Sequence, residues 1–224
     1  MATPLDLEEQ EQLDQLKAFW KRYGNLVTWA LIVVLGAFAA WNGWNWWQRD
    51  QAVKAGSMFD QLDKAAQAGD ADQAGRVFAD MTSNYPRTAY TEQGGLLAAK
   101  VQFDKGHADA ALASLAWVSA HAVEAQYQTI ARLRAAAILL DQKKYDEALK
   151  QLDAATAPEF AALVADRRGD VLLAQGKRDE AAASYAKAWK AMDPTVEYRR
   201  LIDAKLVALG AAPADTATTA EAAK

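Results

Sequence analysis

His107 and His121 are the only imidazoles among the 224 residues, and imidazole is the side chain best suited to proton transfer or metal ligation near neutral pH. Neither has company that would make it a ligand or a base. His107 falls in a turn, His121 near the end of a helical stretch, and no ligand-spaced carboxylate pair accompanies them. Ser57, Ser83, Ser114, Ser119 and Ser184 lack the strand–turn–helix context of a nucleophile elbow, and no glycine-rich phosphate loop follows a strand. The densest charge cluster, Asp166, Arg167, Arg168 and Asp170, points several ways on a helix and reads as a solvated, mutually paired face. The absence of cysteine removes thiolate nucleophiles, zinc–thiolate sites and disulfides. These residues predict a protein that is not an enzyme and that holds no metal and no cofactor.

Chemistry of another kind lies between Arg22 and Arg49, where 26 consecutive residues carry no charge. As a helix, residues 26–47 would extend about 33 Å at ~1.5 Å per residue, close to the ~30 Å hydrocarbon core of a bilayer. Six of the eight tryptophans lie between Trp20 and Trp47, as in an interfacial belt. Ala37-Phe38-Ala39 has the small-x-small form of a signal-peptidase site, but the preceding segment carries Asp6, Glu8, Glu9, Glu11 and Asp14, unlike a compact basic leader. A retained single transmembrane helix over 23–48 is therefore expected, behind an amphipathic tail at 1–22. Lys17, Lys21 and Arg22 outnumber Arg49 and Lys54, which favours a cytoplasmic N-terminus by a narrow margin. Gly36-xxx-Ala40 and Ala39-xxx-Gly43 are small-xxx-small pairs that would let a second membrane helix come close. Beyond residue 47 the chain carries 22 Lys and Arg against 24 Asp and Glu, a net −2 with no basic run, so nucleic acid is not an expected partner.

One phrase recurs in this second part: Gly69-Asp-Ala-Asp-Gln-Ala74, Gly106-His-Ala-Asp-Ala-Ala111, Lys143-Lys-Tyr-Asp-Glu-Ala148 and Gly176-Lys-Arg-Asp-Glu-Ala181. Its final alanines are 37, 37 and 33 residues apart, a period that belongs to stacked helical repeats. Gly or Lys breaks one helix, Asp is expected to cap the next, and Ala opens an apolar face that continues four residues later at Phe78, Leu115, Leu152 and Tyr185. Pro86 and Pro194 close the first and last units. The pattern resembles the tetratricopeptide repeat, best in the fourth copy through Gly169, Leu172, Gly176, Ala181, Tyr185 and Ala188. In the third copy Ala136 and Lys143 replace glycines and Phe160 stands in the proline position, so differently shaped turns are expected there. The fold class is all-α: one N-terminal transmembrane helix, then a right-handed solenoid of about four helix pairs over 49–210, with a capping helix at 195–209. Tyr198, Leu201, Ile202, Leu206 and Leu209 are expected to face inward on that cap, and 211–224 to be disordered.

The repeat resemblance implies a groove lined by the first helix of each pair. It places Phe59, Asp63, Leu96, Lys100, Phe103, Leu133, Ala137, Leu140, Asp166, Asp170 and Leu173 at groove positions; the small-xxx-small spacing in the span separately marks Gly36, Ala40 and Gly43 as the expected contact with another membrane helix. With Lys100 the one basic member, the groove suits an extended peptide or a partner helix better than a C-terminal carboxylate. Asp at Leu96 or Phe103 is expected to weaken partner binding without altering the melt.

The whole order, including Lys17-Ala-Phe-Trp-Lys-Arg-Tyr-Gly-Asn25 before the span, residues 85–100 and residues 160–173, resembles the YfgM family, ancillary subunits of the SecYEG translocon. That resemblance implies an inner-membrane protein with a periplasmic repeat domain. It also implies association with SecYEG and a PpiD-type membrane-anchored chaperone, and reception of emerging unfolded polypeptides. A scaffold for another envelope machine and an adaptor restraining a cytoplasmic stress regulator are the alternative readings.

Overall fold

The computed structural model describes residues 7–212. The chain divides into two compact units, residues 1–51 and 52–224. Its first helix, α1, runs Leu7–Ala68 without interruption. No proline occurs between Pro4 and Pro86, and two polar side chains within the span bond to their own helix. Thr28 Oγ1 donates to the Gly24 carbonyl at 2.8 Å and Asn42 Nδ2 to that of Phe38 at 3.0 Å, which gives each a partner on its own helix one turn back. Within Glu11–Ala68 an 18-residue window reaches a mean hydropathy of 1.8 with none of it buried. Leu26, Ile32, Val33, Leu35, Phe38, Trp41 and Trp46 are all exposed. This helix is long and apolar enough to cross a membrane. The amphipathic start, from residue 7 on, is the first part of the same helix.

The second unit takes residues 52–68 of α1 and continues with α2 (Ala71–Asn84), α3 (Ala89–Asp104), α4 (Ala108–His121), α5 (Ala125–Asp141), α6 (Tyr145–Asp153), α7 (Ala161–Ala174), α8 (Arg178–Ala191) and α9 (Tyr198–Ala208). Among the described residues there is no strand. Each recurring phrase makes the same turn. The amide of Gly69, Gly106, Lys143 or Gly176 bonds the carbonyl of Ala66, Phe103, Leu140 or Leu173, and the next amide bonds the residue before that one. These are the paired bonds of a Schellman cap, and they require a positive φ at the turning residue. Lys143 meets this at φ 60°, beside 66°, 85° and 81° at the three glycines. The expectation of a different turn in the third copy is therefore corrected: the paired bonds to the Leu140 and Leu139 carbonyls of α5 hold a lysine where its backbone is mildly strained. Lys143→Gly should stabilise the domain by about 0.5–1 kcal/mol, read as a melting temperature higher by roughly 2–4 °C.

The repeated Asp is not the cap. Asp72, Asp109, Asp146 and Asp179 lie inside the first turns, where a carboxylate faces the positive helix end, and the N-cap positions belong to Asp70, His107, Lys144 and Lys177. Of these four, only Asp70 caps with its side chain, accepting from the Gln73 amide at 2.8 Å. The third unit does differ where it ends. α6 has 9 residues against 14 in α2, α4 and α8, and Pro158–Phe160 forms a 3-10 turn before α7. Arg132 donates to the Ala154 carbonyl at 2.5 Å, and Thr129 Oγ1 accepts from the Ala157 amide at 3.3 Å, so α5 holds that loop in place.

Size complementarity fixes how the helices of a pair approach. A Cβ at Gly169 would lie 2.4 Å from the Tyr185 ring, whereas Ala136 shares its cluster with the smaller Leu152, and Ala99 its cluster with Leu115. α5 touches both α3 and α7, and no comparable approach joins α2 to α4, α4 to α6 or α6 to α8 among the described residues. With α3, α5 and α7 close together and the second helices apart, the middle of the stack bends so that these first helices line its inner side.

The cap starts later than the sequence suggests. Asp193 accepts from both the amide and the hydroxyl of Thr195, at 2.8 and 2.7 Å, and its carbonyl accepts from Val196, so 193–196 are spent in a turn. Those two bonds hold the Asp193 carboxyl below its usual range. Ile202 and Leu206 are fully buried with Tyr198 and Leu209 beside them, but Leu201 is 49% exposed. The inward assignment of Leu201 is thus corrected: it sits ~100° around the helix from Ile202. Arg199 fastens α9 to α8, lying 3.8 Å over the Trp189 ring and donating to its carbonyl.

Candidate partner-binding groove

Between α3 and α5 the inner face opens into a hollow of about 300 Å³. Ala99, Leu115 and Ile138 form its floor, and Phe103 and Ala137 its apolar walls; Lys100, Arg134 and Asp141 stand at its rim. Lys100 pairs with Asp104 at 2.5 Å on the exposed surface. Arg134 donates to the Leu96 carbonyl at 3.0 Å, and partial burial lowers its guanidinium from the usual value.

The residues named from sequence divide. Phe103 (39% exposed) and Leu173 (36%) are accessible, and Phe59, Leu133 and Leu140 are half-buried. Phe59 leans on Tyr90 at 5.9 Å between ring centroids. Asp63 is half-buried and accepts from Gln67 at 2.7 Å. Leu96 is 8% exposed, clustered with Phe78, Leu115 and Val118, so it belongs to the core and is closed to a partner.

Asp166 is closed as well, at 1% exposure, and the reading of the 166–170 cluster as a solvated face is corrected. Lys205 of α9 donates to both Asp166 oxygens, at 2.8 and 2.9 Å, and to Asp170 at 2.7 Å. The Tyr198 and Tyr185 hydroxyls donate to Asp166 and Asp170, each at 2.8 Å. Burial first, and then these carboxylate bonds, push the Tyr198 phenol up to about 12 and the Tyr185 phenol higher still. At the fourth unit the acids that seemed to offer charge to a partner are consumed by the chain's own last helix. Arg168, on another side of α7, pairs with Asp153 at 2.5 Å.

What remains open is a ladder. Ala66, Phe103, Leu140 and Leu173 all give their carbonyls to the turning residue three positions on, and Val207 does the same for Gly210. Five first helices thus present one apolar residue at one register. Phe103, Leu173 and Val207 are exposed. Val207 and Arg134 were missed in the sequence: the Val207 turn lacks the full six-residue phrase, and only the packing of α3 on α5 brings Arg134 to the hollow. The shared glycine, 34 residues after Gly176, was the available signal for Val207.

Glu92 is the other buried acid. Its Oε1 accepts from the Val123 amide at 2.7 Å while Oε2 has no hydrogen-bond partner. Burial, opposed by that amide and helped by nearby Glu124, raises its pKa above 4.5. A carboxyl raised on folding favours the folded state most when protonated, so its contribution is lost as the pH climbs through the raised value. Glu92→Gln keeps the Val123 acceptor. It should raise the melting temperature by a few degrees at pH 7, with the gain vanishing in acid below 4.5.

In the first unit, a Cβ built at Gly36 or Gly43 meets nothing within 4 Å, and Ala40 is exposed. His107 and His121 find structural places, the first at the start of α4, the second stacked on Trp117 at 4.9 Å. Among the described residues no group of three or more His, Cys, Asp or Glu could hold a metal.

A profile of the tetratricopeptide repeat-like domain matches residues 17–211. An ancillary SecYEG translocon subunit of Neisseria gonorrhoeae is 31% identical over 204 residues, covering 91% of this chain and 98% of that one. Proteins with the same description from Escherichia coli (30% over 179 residues, 79% and 85% covered) and Haemophilus influenzae (27% over 182 residues, 81% and 89% covered) are similar along most of their length. A long, unburied apolar helix and relatives of this description fit an inner-membrane protein. By the extent of these matches, the chain belongs to the YfgM family of ancillary SecYEG translocon subunits, with a tetratricopeptide-repeat-like domain.

Proposed function

We propose that this chain is a non-catalytic, single-pass inner-membrane protein whose periplasmic repeat domain associates with the SecYEG translocon and a PpiD-type membrane-anchored chaperone, and receives polypeptides as they emerge. The observation that carries this reading is the apolar ladder at one register of successive first helices, in which Phe103, Leu173 and Val207 are exposed and Leu140, packed in part on its own core, is half-buried; it suits a polypeptide laid across those helices. Lys17, Lys21 and Arg22 ahead of the span support a cytoplasmic N-terminus, and the description of the relatives supports the translocon. The open Gly36, Ala40 and Gly43 face would be the contact with another membrane helix.

Photoreactive residues at positions 103, 140 and 173 in intact cells test it. Adducts with translocon subunits, a periplasmic chaperone and varied secreted precursors are expected. A single unrelated envelope complex would replace this reading with that of a scaffold.

A further inference from the structure

We propose that the hollow between α3 and α5 selects its occupant by charge as well as by size, receiving a bulky apolar side chain that has a carboxylate beside it in sequence. This rests on the groove reading above and names the chemistry that the groove prefers. The floor and walls supplied by Leu115, Ile138, Phe103 and Ala137 are apolar, and about 300 Å³ accommodates one Leu or Phe side chain.

The rim is where selection arises. Arg134 carries five N–H donors in a planar fork, and the one bond that it makes among the described residues is to the Leu96 carbonyl. Among the described residues no carboxylate lies within ion-pair distance of it, unlike Arg167, Arg168, Lys100 and Lys205, each of which has one. A guanidinium beside an apolar cavity, without a counter-ion of its own, complements an incoming carboxylate, which it can hold through two parallel bonds. Lys100, at the same rim, is tied to Asp104 only by an exposed pair one helical turn away, and such pairs are readily exchanged. Asp141 repels an acid. It lies seven residues beyond Arg134 on α5, about two helical turns or roughly 10 Å along the axis. The occupant is therefore oriented: its carboxylate lies at the Arg134 end, and a neutral or basic residue at the Asp141 end.

The test uses the full-length protein in detergent micelles and four fluorescein-labelled nonapeptides, a Gly-Ser host carrying a central Phe-Glu, Phe-Gln, Phe-Lys or Ala-Glu pair, read by anisotropy. Phe-Glu should bind about tenfold more tightly than Phe-Lys or Ala-Glu. Arg134→Glu should reverse the preference between Glu and Lys. Arg134→Gln, which keeps a donor for the Leu96 carbonyl, should erase it. Ala137→Trp, which fills the hollow, should remove binding, with helicity checked for every variant. Equal binding of Phe-Lys and Phe-Glu, a preference that survives Arg134→Glu, or no binding by any peptide would overturn the proposal. The groove reading stands in those cases if the in-cell adducts at position 103 disappear in Ala137→Trp, and falls with the proposal if they persist.

Discussion

Lys205→Ala should lower the stability of the repeat domain by about 3 kcal/mol, although the residue lies outside the repeats and 22% of its side chain is exposed. The cause is what it leaves behind. Asp166 is 1% exposed, and both of its oxygens are held by the Lys205 ammonium, with the Tyr198 hydroxyl as the remaining partner. Removing the cation strands a carboxylate in a site that water does not reach, and it also releases Asp170, whose remaining cation, Arg167, stands at 3.4 Å. Breaking one side of a buried pair is far costlier than exchanging both sides for apolar groups, so Lys205→Met with Asp166→Leu should recover much of the loss. Urea unfolding followed by tryptophan fluorescence measures the difference, and amide exchange locates it. Protection should fall in α9 and the second half of α7, with α3 and α4 unchanged. A loss below about 0.5 kcal/mol would mean that the pair is solvated and behaves as a surface bridge.

The same network shows where the sequence was legible and where it was not. Helix boundaries followed the phrase at Gly69, Gly106 and Gly176 because a positive φ and a small residue coincide there, and such chemistry is local. Lys143 obeyed the identical geometry against its own preference, since the packing of α5 on α6 outweighs about one kilocalorie of backbone strain. Side-chain exposure was harder to read. Leu96 and Phe103 are seven residues apart, a spacing that puts both on one helix face, yet one faces Phe78 and Val118 and the other the hollow. α3 is wedged between α2, α4 and α5, and a helix enclosed on three sides carries no simple polar face in its sequence. Asp166 and Asp170 read as solvated because their counter-ion lies 35 to 39 residues away, in a helix whose docking no local pattern announces.

Leu96 and Phe103 also carry the sharpest separation of stability from binding. Leu96→Asp should abolish folding of the repeat domain at 37 °C. The leucine is 8% exposed in the cluster that contains Phe78, Leu115 and Val118, and truncating such a side chain costs about 2–5 kcal/mol before any charge is considered. A carboxylate in its place adds a desolvation cost of several kcal/mol that nothing in that cluster offsets. The total, above about 5 kcal/mol, matches or exceeds the whole stability of many domains. Phe103→Asp stands on different ground. Its ring is 39% exposed at the wall of the hollow, so the loss of burial should cost about 1 kcal/mol or less and move the melt by only a few degrees. Binding is where Phe103→Asp should show itself, with crosslinking yields at positions 140 and 173 down at least about tenfold in a domain that is still folded, because it places an acid where the occupant's apolar side chain must pass. A folded Leu96→Asp protein that has merely lost its partner would return Leu96 to the groove; a Phe103→Asp protein that keeps its adducts would remove the ladder from it.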